Sequence, residues 1–248
     1  MAQRRAHKHP ARPLAGDAVA PNAPALTPER VAGLLPPDLD AALPQALRTA
    51  LPERLDRYLH MLLAWNRAMN LTGGRNRADI LARLIPDSFQ LAAFLESAPL
   101  AQTGGPDGPR VWDLGAGGGL PGIPLRMVWD KGDYTLVEAR EKRALFLANA
   151  LAALDLPRTT VFRGTAEALF ARSPHGADII LSRAFMPWEK LLPFCEPGLA
   201  PGGVVIVFAS EACRELPAPW RLLAEMAYAV GESRRWFWAL RPGGAPRA

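Results

Sequence analysis

The chain has 248 residues, of which 49% are hydrophobic and 21% charged, and it carries a formal net charge of +5. That apolar fraction over this length excludes disorder throughout and suits one domain with an appendage. The longest purely apolar run, Val204 to Ala209, has six residues against the roughly 20 that a membrane span requires. Cys195 and Cys213 form no CxxC pair and have no partnering His, so they read as reduced thiols of a cytoplasmic protein.

Residues 1–30 hold Arg4, Arg5, Lys8, Arg12 and Arg30 against Asp17 and Glu29, together with five prolines and almost no large apolar side chain. Such a stretch is expected to be a disordered basic arm, because it buries too little to offset its ordering entropy. It lacks the apolar run of a secretory signal. It reads as a solubilising tail or as a segment that touches nucleic-acid phosphates.

Residues 31–105 are expected to form a helical subdomain. From Pro52, apolar residues Leu55, Tyr58, Leu59, Leu62, Leu63 and Met69 recur at helical spacing, and Asn70-Leu71-Thr72-Gly73-Gly74 ends the run with turn residues. A second helical stretch, Asp79 to Leu95, is interrupted by Pro86, with Asp87 or Ser88 placed to cap a restart. The Gly- and Pro-rich loop Thr103 to Pro109 follows.

Residues 106–248 change rhythm. Short apolar runs at Arg110–Leu114, Tyr134–Glu138, Thr160–Phe162, Asp178–Ser182 and Gly203–Ala209 read as strands. Helical patterns lie between them, from Gly122, over Lys142–Leu154, over Ala166–Ala171 and over Trp188–Leu199. This alternation predicts βαβ units and a parallel sheet. Tyr228–Val230 and Arg235–Leu240, joined across Gly231 to Arg234, predict a closing hairpin and a final antiparallel strand. On that last strand Trp236 and Trp238 are expected on one face and Phe237 on the other, packed against helices. Arg234 and Arg235 at the hairpin end would be free to meet phosphates.

The densest chemical signal is Asp113-Leu114-Gly115-Ala116-Gly117-Gly118-Gly119-Leu120-Pro121-Gly122, a strand running through glycines into a helix. Missing Cβ atoms let a ligand approach the backbone closely beside a helix N-terminus. Two registers compete. Gly117 to Gly122 satisfies the dinucleotide GxGxxG pattern, which alone is weak. The register Asp113-x-Gly115-x-Gly117-x-Gly119 places a carboxylate at the strand end, where it would repel a pyrophosphate but attract the sulfonium and ammonium groups of S-adenosylmethionine. The second register is favoured. Glu138, 23 residues past Gly115 at the end of the next strand, suits an acid that accepts both hydroxyls of an adenosine ribose; alternatively it pairs with Arg140 or Lys142.

These residues carry a family resemblance. Trp65-Asn66-x-x-x-Asn70-Leu71-Thr72, Asp87-Ser88, the extended loop Asp113 to Leu125 with its Gly-Leu-Pro-Gly-Ile-Pro segment, Lys142-Arg143-x-x-Phe146-Leu147 and Ser182-Arg183-Ala184-Phe185 resemble the glucose-inhibited division protein B family, bacterial methyltransferases that modify a guanine N7 in 16S ribosomal RNA. The resemblance covers about Leu51 to Leu240 and implies a Rossmann-like class I methyltransferase. That fold has a mostly parallel seven-stranded sheet, a final antiparallel strand and an N-terminal helical extension. It implies S-adenosylmethionine as cofactor and 16S ribosomal RNA or the small ribosomal subunit as partner; apart from the resemblance, no membrane involvement and a monomeric state are expected. By the same resemblance Gly115 and Leu120 bound the methionine end of the cofactor, Ala166 and Glu167 fall near its adenine, and Arg183 faces cofactor or substrate. An alternative for Arg183 is a structural salt bridge. Leu84 stands where the family usually has His, Thr165 where it commonly has Arg, and Ala209-Ser210 where it has Lys-Gly. Each departure removes a cation or donor that could face RNA while leaving the cofactor residues in place.

A guanine N7 attacks a methyl group with an uncharged lone pair, so no general base is required. The sequence fits that economy. Its four histidines, His7, His9, His60 and His175, lack metal-ligand spacing, no metal is expected, and no nucleophile-base-acid set stands out. Phe185 and Trp188, just after Arg183, are candidates for holding an unstacked base or for packing. Three functions stay open: an RNA guanine-N7 methyltransferase, which the resemblance implies and which leads, a methyltransferase for another RNA site or a small molecule, and a non-catalytic ribosomal-RNA-binding assembly factor.

Overall fold

The computed structural model describes residues 24–74 and 76–243. Most of the expected basic arm, residues 1–23, lies outside the described residues. Its last residues do not behave as an arm. Thr27 caps a short helix α1 (Pro28–Ala32), accepting from Arg30 N, Leu26 is buried, and the Pro24 carbonyl accepts from Arg77 Nη1 at 2.7 Å. The apolar Leu26 and Val31, too sparse to register as a periodic face, decide this local order.

Four further helices complete the N-terminal part: α2 (Pro37–Ala42), α3 (Gln45–Met69), α4 (Arg77–Arg83) and α5 (Ile85–Glu96). Helix α3 runs through Pro52 rather than starting there. The proline forgoes one hydrogen bond, and the buried Leu51, Leu55, Tyr58, Leu59 and Leu62 outweigh that loss. Asn70 ends the helix in the left-handed region at φ 48°. Asn76 caps α4 by accepting from Asp79 N at 2.9 Å. Helix α5 restarts at Ile85 with Pro86 in its first turn, where a missing N–H costs nothing, so neither Asp87 nor Ser88 is the cap.

The rest alternates strand and helix: β1 (Arg110–Leu114), α6 (Gly122–Val128), β2 (Asp133–Glu138), α7 (Glu141–Leu154), β3 (Thr159–Arg163), α8 (Ala166–Arg172), β4 (Ala177–Ser182), α9 (Trp188–Cys195), β5 (Leu199–Ala209), β6 (Trp220–Val230) and β7 (Ser233–Pro242). The seven strands lie in the order β3-β2-β1-β4-β5-β7-β6. β7 is antiparallel to both of its neighbours, and the other pairings are parallel. This is the expected architecture. β6 is much longer than the predicted Tyr228–Val230, and α9 stops at Cys195 rather than Leu199.

Alternation along the strands divides two cores. Val111, Ile179, Leu181, Val204, Ile206 and Phe237 face the N-terminal helices together with α6 and α7. Trp112, Leu114, Ile180, Val205, Val207 and Trp238 face α8 and α9. Burial on both faces explains why the central strands read as continuous apolar runs. It also confirms the split of Phe237 from its two flanking tryptophans.

Candidate functional site

In an open parallel sheet, ligands sit beyond the carboxyl ends of the strands, where the strand order reverses. Here that point lies between β1 and β4, which are neighbours although α6, β2, α7, β3 and α8 separate them in the chain. The glycine loop follows β1, and Arg183 to Phe185 follow β4. Ser182 Oγ donates to the Leu114 carbonyl at 3.4 Å and links the two lips.

Gly115, Gly117 and Gly119 all have positive φ, at 70°, 53° and 78°. At Gly117 a Cβ would meet nothing closer than 3.6 Å, so the demand there is conformational and the space beside it is open. At Gly119 a Cβ would lie 2.4 Å from Ile123 Cδ1, so that glycine serves helix packing. Several loop N–H groups have protein partners: Gly115 and Ala116 donate to the Val137 carbonyl at 3.0 Å, and Gly119 to the Ala116 carbonyl at 2.7 Å. Leu120 is half-buried at the loop's end and packs on the larger core.

Glu138 is buried at the end of β2. One carboxylate oxygen accepts from Gly117 N at 3.0 Å and the other from Arg140 N at 2.8 Å. It therefore pairs with backbone N–H groups rather than with the Arg140 or Lys142 side chains. Each oxygen keeps lone-pair capacity for a further donor, as two ribose hydroxyls require. Asp113 lies beneath the loop, 1% exposed, accepting from the Tyr134 hydroxyl at 3.1 Å and from Gly122 N. Burial pushes its carboxyl up to about 7, against the opposing pull of Tyr134, Gly122 and the Arg183 guanidinium. A carboxyl so poised ionises fully beside a cation, and this matches a ligand with sulfonium and ammonium groups.

On the facing lip, Ala184 holds φ 58°, a left-handed conformation that costs a non-glycine residue energy and marks functional turns. Phe185, 41% exposed, lies over the loop so closely that a Cβ on Gly115 would be 2.7 Å from its ring. Its other edge meets Phe194, with ring centroids 5.8 Å apart. Trp188 instead packs edge-on against Trp238, so of the two aromatic candidates only Phe185 belongs to the mouth. Ala166 is buried at the start of α8 and Glu167 is exposed beside it. Gly164 N donates to the Glu138 carbonyl at 3.1 Å, tying that segment to the end of β2. Thr165 caps α8 by accepting from Ala168 N at 3.3 Å. Leu84 turns α4 into α5, and Ala209 packs beside Trp236 in the smaller core.

Arg183 makes the salt bridge that stood as its alternative reading, Nη2 to Asp87 Oδ2 at 3.3 Å. Only one nitrogen is engaged, and its charge still acts on Asp113 and Tyr58. Of the two hairpin arginines, Arg235 is engaged and Arg234 is exposed. Arg235 Nη1 bonds Asp87 Oδ1 at 2.6 Å, and Arg234 covers the Trp236 ring at 5.4 Å.

Sequence reasoning missed the roles of two site residues. Tyr58, read there only as part of an apolar helix face, donates its hydroxyl to the Gly118 carbonyl at 2.6 Å. Asp87, read as a possible cap, accepts from Arg235 and Tyr228 and forms an ion pair with Arg183. A buried tyrosine needs a partner for its hydroxyl, and that was the one available signal for Tyr58. Asp87 stood in the resemblance as part of Asp87-Ser88, but nothing local announced its partners.

A sheet of this order with a glycine loop and an acid at successive strand ends defines a class I methyltransferase fold. Consistent with that, an O-methyltransferase from Bacillus cereus, solved in complex with SAH, superposes with a TM-score of 0.51 over 75% of this chain and 90% of its own, at 15% identity. The chain belongs to the GidB family, described as rRNA small subunit methyltransferase G, whose model matches residues 52–217. Relatives called ribosomal RNA small subunit methyltransferase G include one from Nitratidesulfovibrio vulgaris, 51% identical over 191 residues, covering 77% of this chain and 85% of the relative. Another, from Lawsonia intracellularis, is 40% identical over 190 residues, covering 76% and 86%.

Proposed function

We propose that this chain transfers a methyl group from S-adenosylmethionine to N7 of a guanine in 16S ribosomal RNA, in the bacterial cytoplasm, on free RNA or the small subunit. The observation that carries the reading is the crevice at the strand-order reversal, bracketed by the glycine loop with Asp113 and Glu138 on one lip and by Arg183 and Phe185 on the other. When bound, the cofactor supplies an electrophilic methyl on sulfur, and the guanine lone pair displaces the thioether.

The chain's own residues bind and orient. Glu138 accepts the ribose hydroxyls, Asp113 supplies the countercharge beneath Gly115, Gly117 and Gly119, and Leu120, Ala166 and Glu167 border the cofactor. Arg183 receives an anion, either the cofactor carboxylate or a target phosphate. Phe185 gives a flat apolar surface for the base and excludes water. The crevice needs no base: Asp113 is too deeply buried to reach a substrate. Catalysis then rests on collinear placement, for which orientation contributes about 7–11 kcal/mol. The protein acts as a monomer in this reading. Among the described residues the large exposed apolar side chains are Leu145, Phe185 and Leu222, on separate elements, too scattered for an obligate interface.

Tritiated methyl transfer to small subunits from a strain lacking the gene tests the proposal, with the modified nucleotide mapped. Incorporation at one guanine N7 is expected. Transfer only to a small molecule or another RNA site, or binding without transfer, overturns it. Arg183→Ala is expected to slow transfer by about one to two orders of magnitude, since a hydrogen bond to a charged group contributes roughly 1.5–3 kcal/mol. Lys at the position restores part of the rate, having the charge without the fork.

A further inference from the structure

We infer that Arg235, on the closing hairpin, is a positioning residue for methyl transfer: by holding Asp87 it keeps the mouth arginine Arg183 available to ligand. The inference rests on the reading of Arg183 given under Proposed function and adds what controls that side chain.

The arrangement is one carboxylate with two hydrogen-bond donors, Arg235 and Tyr228, and a third partner, Arg183, held by charge alone. Asp87, in the first turn of α5, is 3% exposed at its side chain. Oδ1 accepts from Arg235 Nη1 at 2.6 Å and from the Tyr228 hydroxyl at 3.0 Å. Oδ2 faces only Arg183 Nη2, in an ion pair at the longer 3.3 Å without hydrogen-bond geometry. Arg235 Nη1 is fixed a second time by the Arg83 carbonyl at 3.0 Å, which closes α4. Two guanidinium groups thus share one anion, and one positive charge is left over. It resides on Arg183, which has the looser contact, at the lip of the crevice and followed by the strained Ala184.

A buried carboxylate takes the best partners within reach. Were Arg235 uncharged, Oδ1 would lose its strongest donor and Arg183 would be the nearest replacement. A guanidinium and a carboxylate close readily into a two-bond fork. Arg183 would then be drawn onto Asp87 and lost to the ligand. Arg235 occupies the oxygen that would otherwise capture Arg183. Its effect on turnover should therefore depend on Asp87 being charged.

The test uses the full chain, tritiated S-adenosylmethionine and undermethylated small subunits, with melting curves for every variant. Arg235→Met is expected to lower kcat/KM about tenfold or more, within the range for a lost charged contact. Adding Asp87→Asn removes the trap, so the double variant is expected to transfer methyl at least about fivefold faster than Arg235→Met alone, a coupling of ordinary size for contacting residues. A purely structural network predicts the reverse, a further loss. An additive or greater loss in a folded double variant overturns the inference, as does wild-type kcat/KM in Arg235→Met. If the double variant does not fold, Arg235→Lys decides, because it keeps a cation for Asp87. It should therefore recover most of the kcat/KM that Arg235→Met loses, and Arg235→Met should cost nothing further beside Arg183→Ala; a loss in Arg235→Lys as large as in Arg235→Met, or an equal cost of Arg235→Met in both backgrounds, overturns the inference. Wild-type turnover in Arg183→Ala is a different result, failing the reading of Arg183 itself.

Discussion

Asp113 carries the titration that matters most in the crevice. Its carboxyl is raised from an ordinary 3.8 to about 7, first by burial. Between those values the native protein holds a proton that the unfolded chain has released. This contribution to stability is therefore complete below about pH 4, is lost as pH rises through about 7, and is constant above. Three units amount to about 4 kcal/mol at most. The wild-type melting temperature is expected to fall between pH 5.5 and pH 8, and Asp113→Asn to flatten that slope. A cationic ligand reverses the preference, since it stabilises the ionised form. Cofactor binding near pH 6.5 should therefore release a proton and tighten as pH rises, measurable by calorimetry in buffers of different ionisation enthalpy. Equal slopes in the two proteins, or no proton release, would remove Asp113 from the cofactor's field. The residue type and position were legible in the sequence from the glycine register alone. Its depth was not, because burial depends on Tyr134 and Gly122 arriving from other elements. The partnership of Asp87 with Arg235 spans 148 residues and leaves no local trace at all.

At the scale of elements, α3 does more than cover the sheet. Tyr58 bonds the Gly118 carbonyl, a Cβ on Gly118 would be 3.0 Å from Leu62 Cδ1, and Arg143 Nη2 of α7 reaches back to the Asn70 carbonyl at 3.2 Å. The long helix and the turn after it thus press the glycine loop into shape from behind. Tyr58→Phe leaves a buried carbonyl without its donor, a loss of about 1–3 kcal/mol. The expected outcome is a lower melting temperature together with weaker S-adenosylmethionine binding. A stable variant with unchanged affinity would show that the loop keeps its shape without α3. Strand and helix positions in the sheet domain were legible because apolar runs, glycines and prolines alternate there at the lengths the fold needs. β6 was mostly missed for a definite reason. Trp220 to Ala227 is rich in Leu, Ala, Glu and Met, good helix formers, yet pairing along β7, with a register shift between Leu222 and Ala224, makes it a strand. Tertiary pairing overrode propensity at the sheet edge.

Across the whole molecule, the N-terminal helices and the sheet do not have separate interiors. One apolar cluster runs from Leu26, Val31 and Leu35 through Leu55, Leu59 and Phe89 to Ile123, Leu181 and Phe237. A composition-based boundary after residue 30 divides that cluster, because a single buried leucine in a proline-rich stretch carries no periodic signal. Leu26 therefore provides the sharpest test of where the folded body begins. It is 7% exposed and precedes the cap residue Thr27, while the neighbouring Pro24 carbonyl holds Arg77, itself paired with Asp56 of α3. Truncating a buried leucine to alanine costs about 2–5 kcal/mol, and in a chain of this size each kcal/mol shifts the melting temperature by roughly 2–4 °C. Leu26→Ala is expected to lower the melting temperature by at least about 4 °C at unchanged pH and salt. The loss should appear equally with and without S-adenosylmethionine, because Leu26 belongs to neither lip of the crevice. A melting temperature equal to wild type would mean that the stretch before Pro28 contributes nothing to the fold, and that the composition boundary was the physical one.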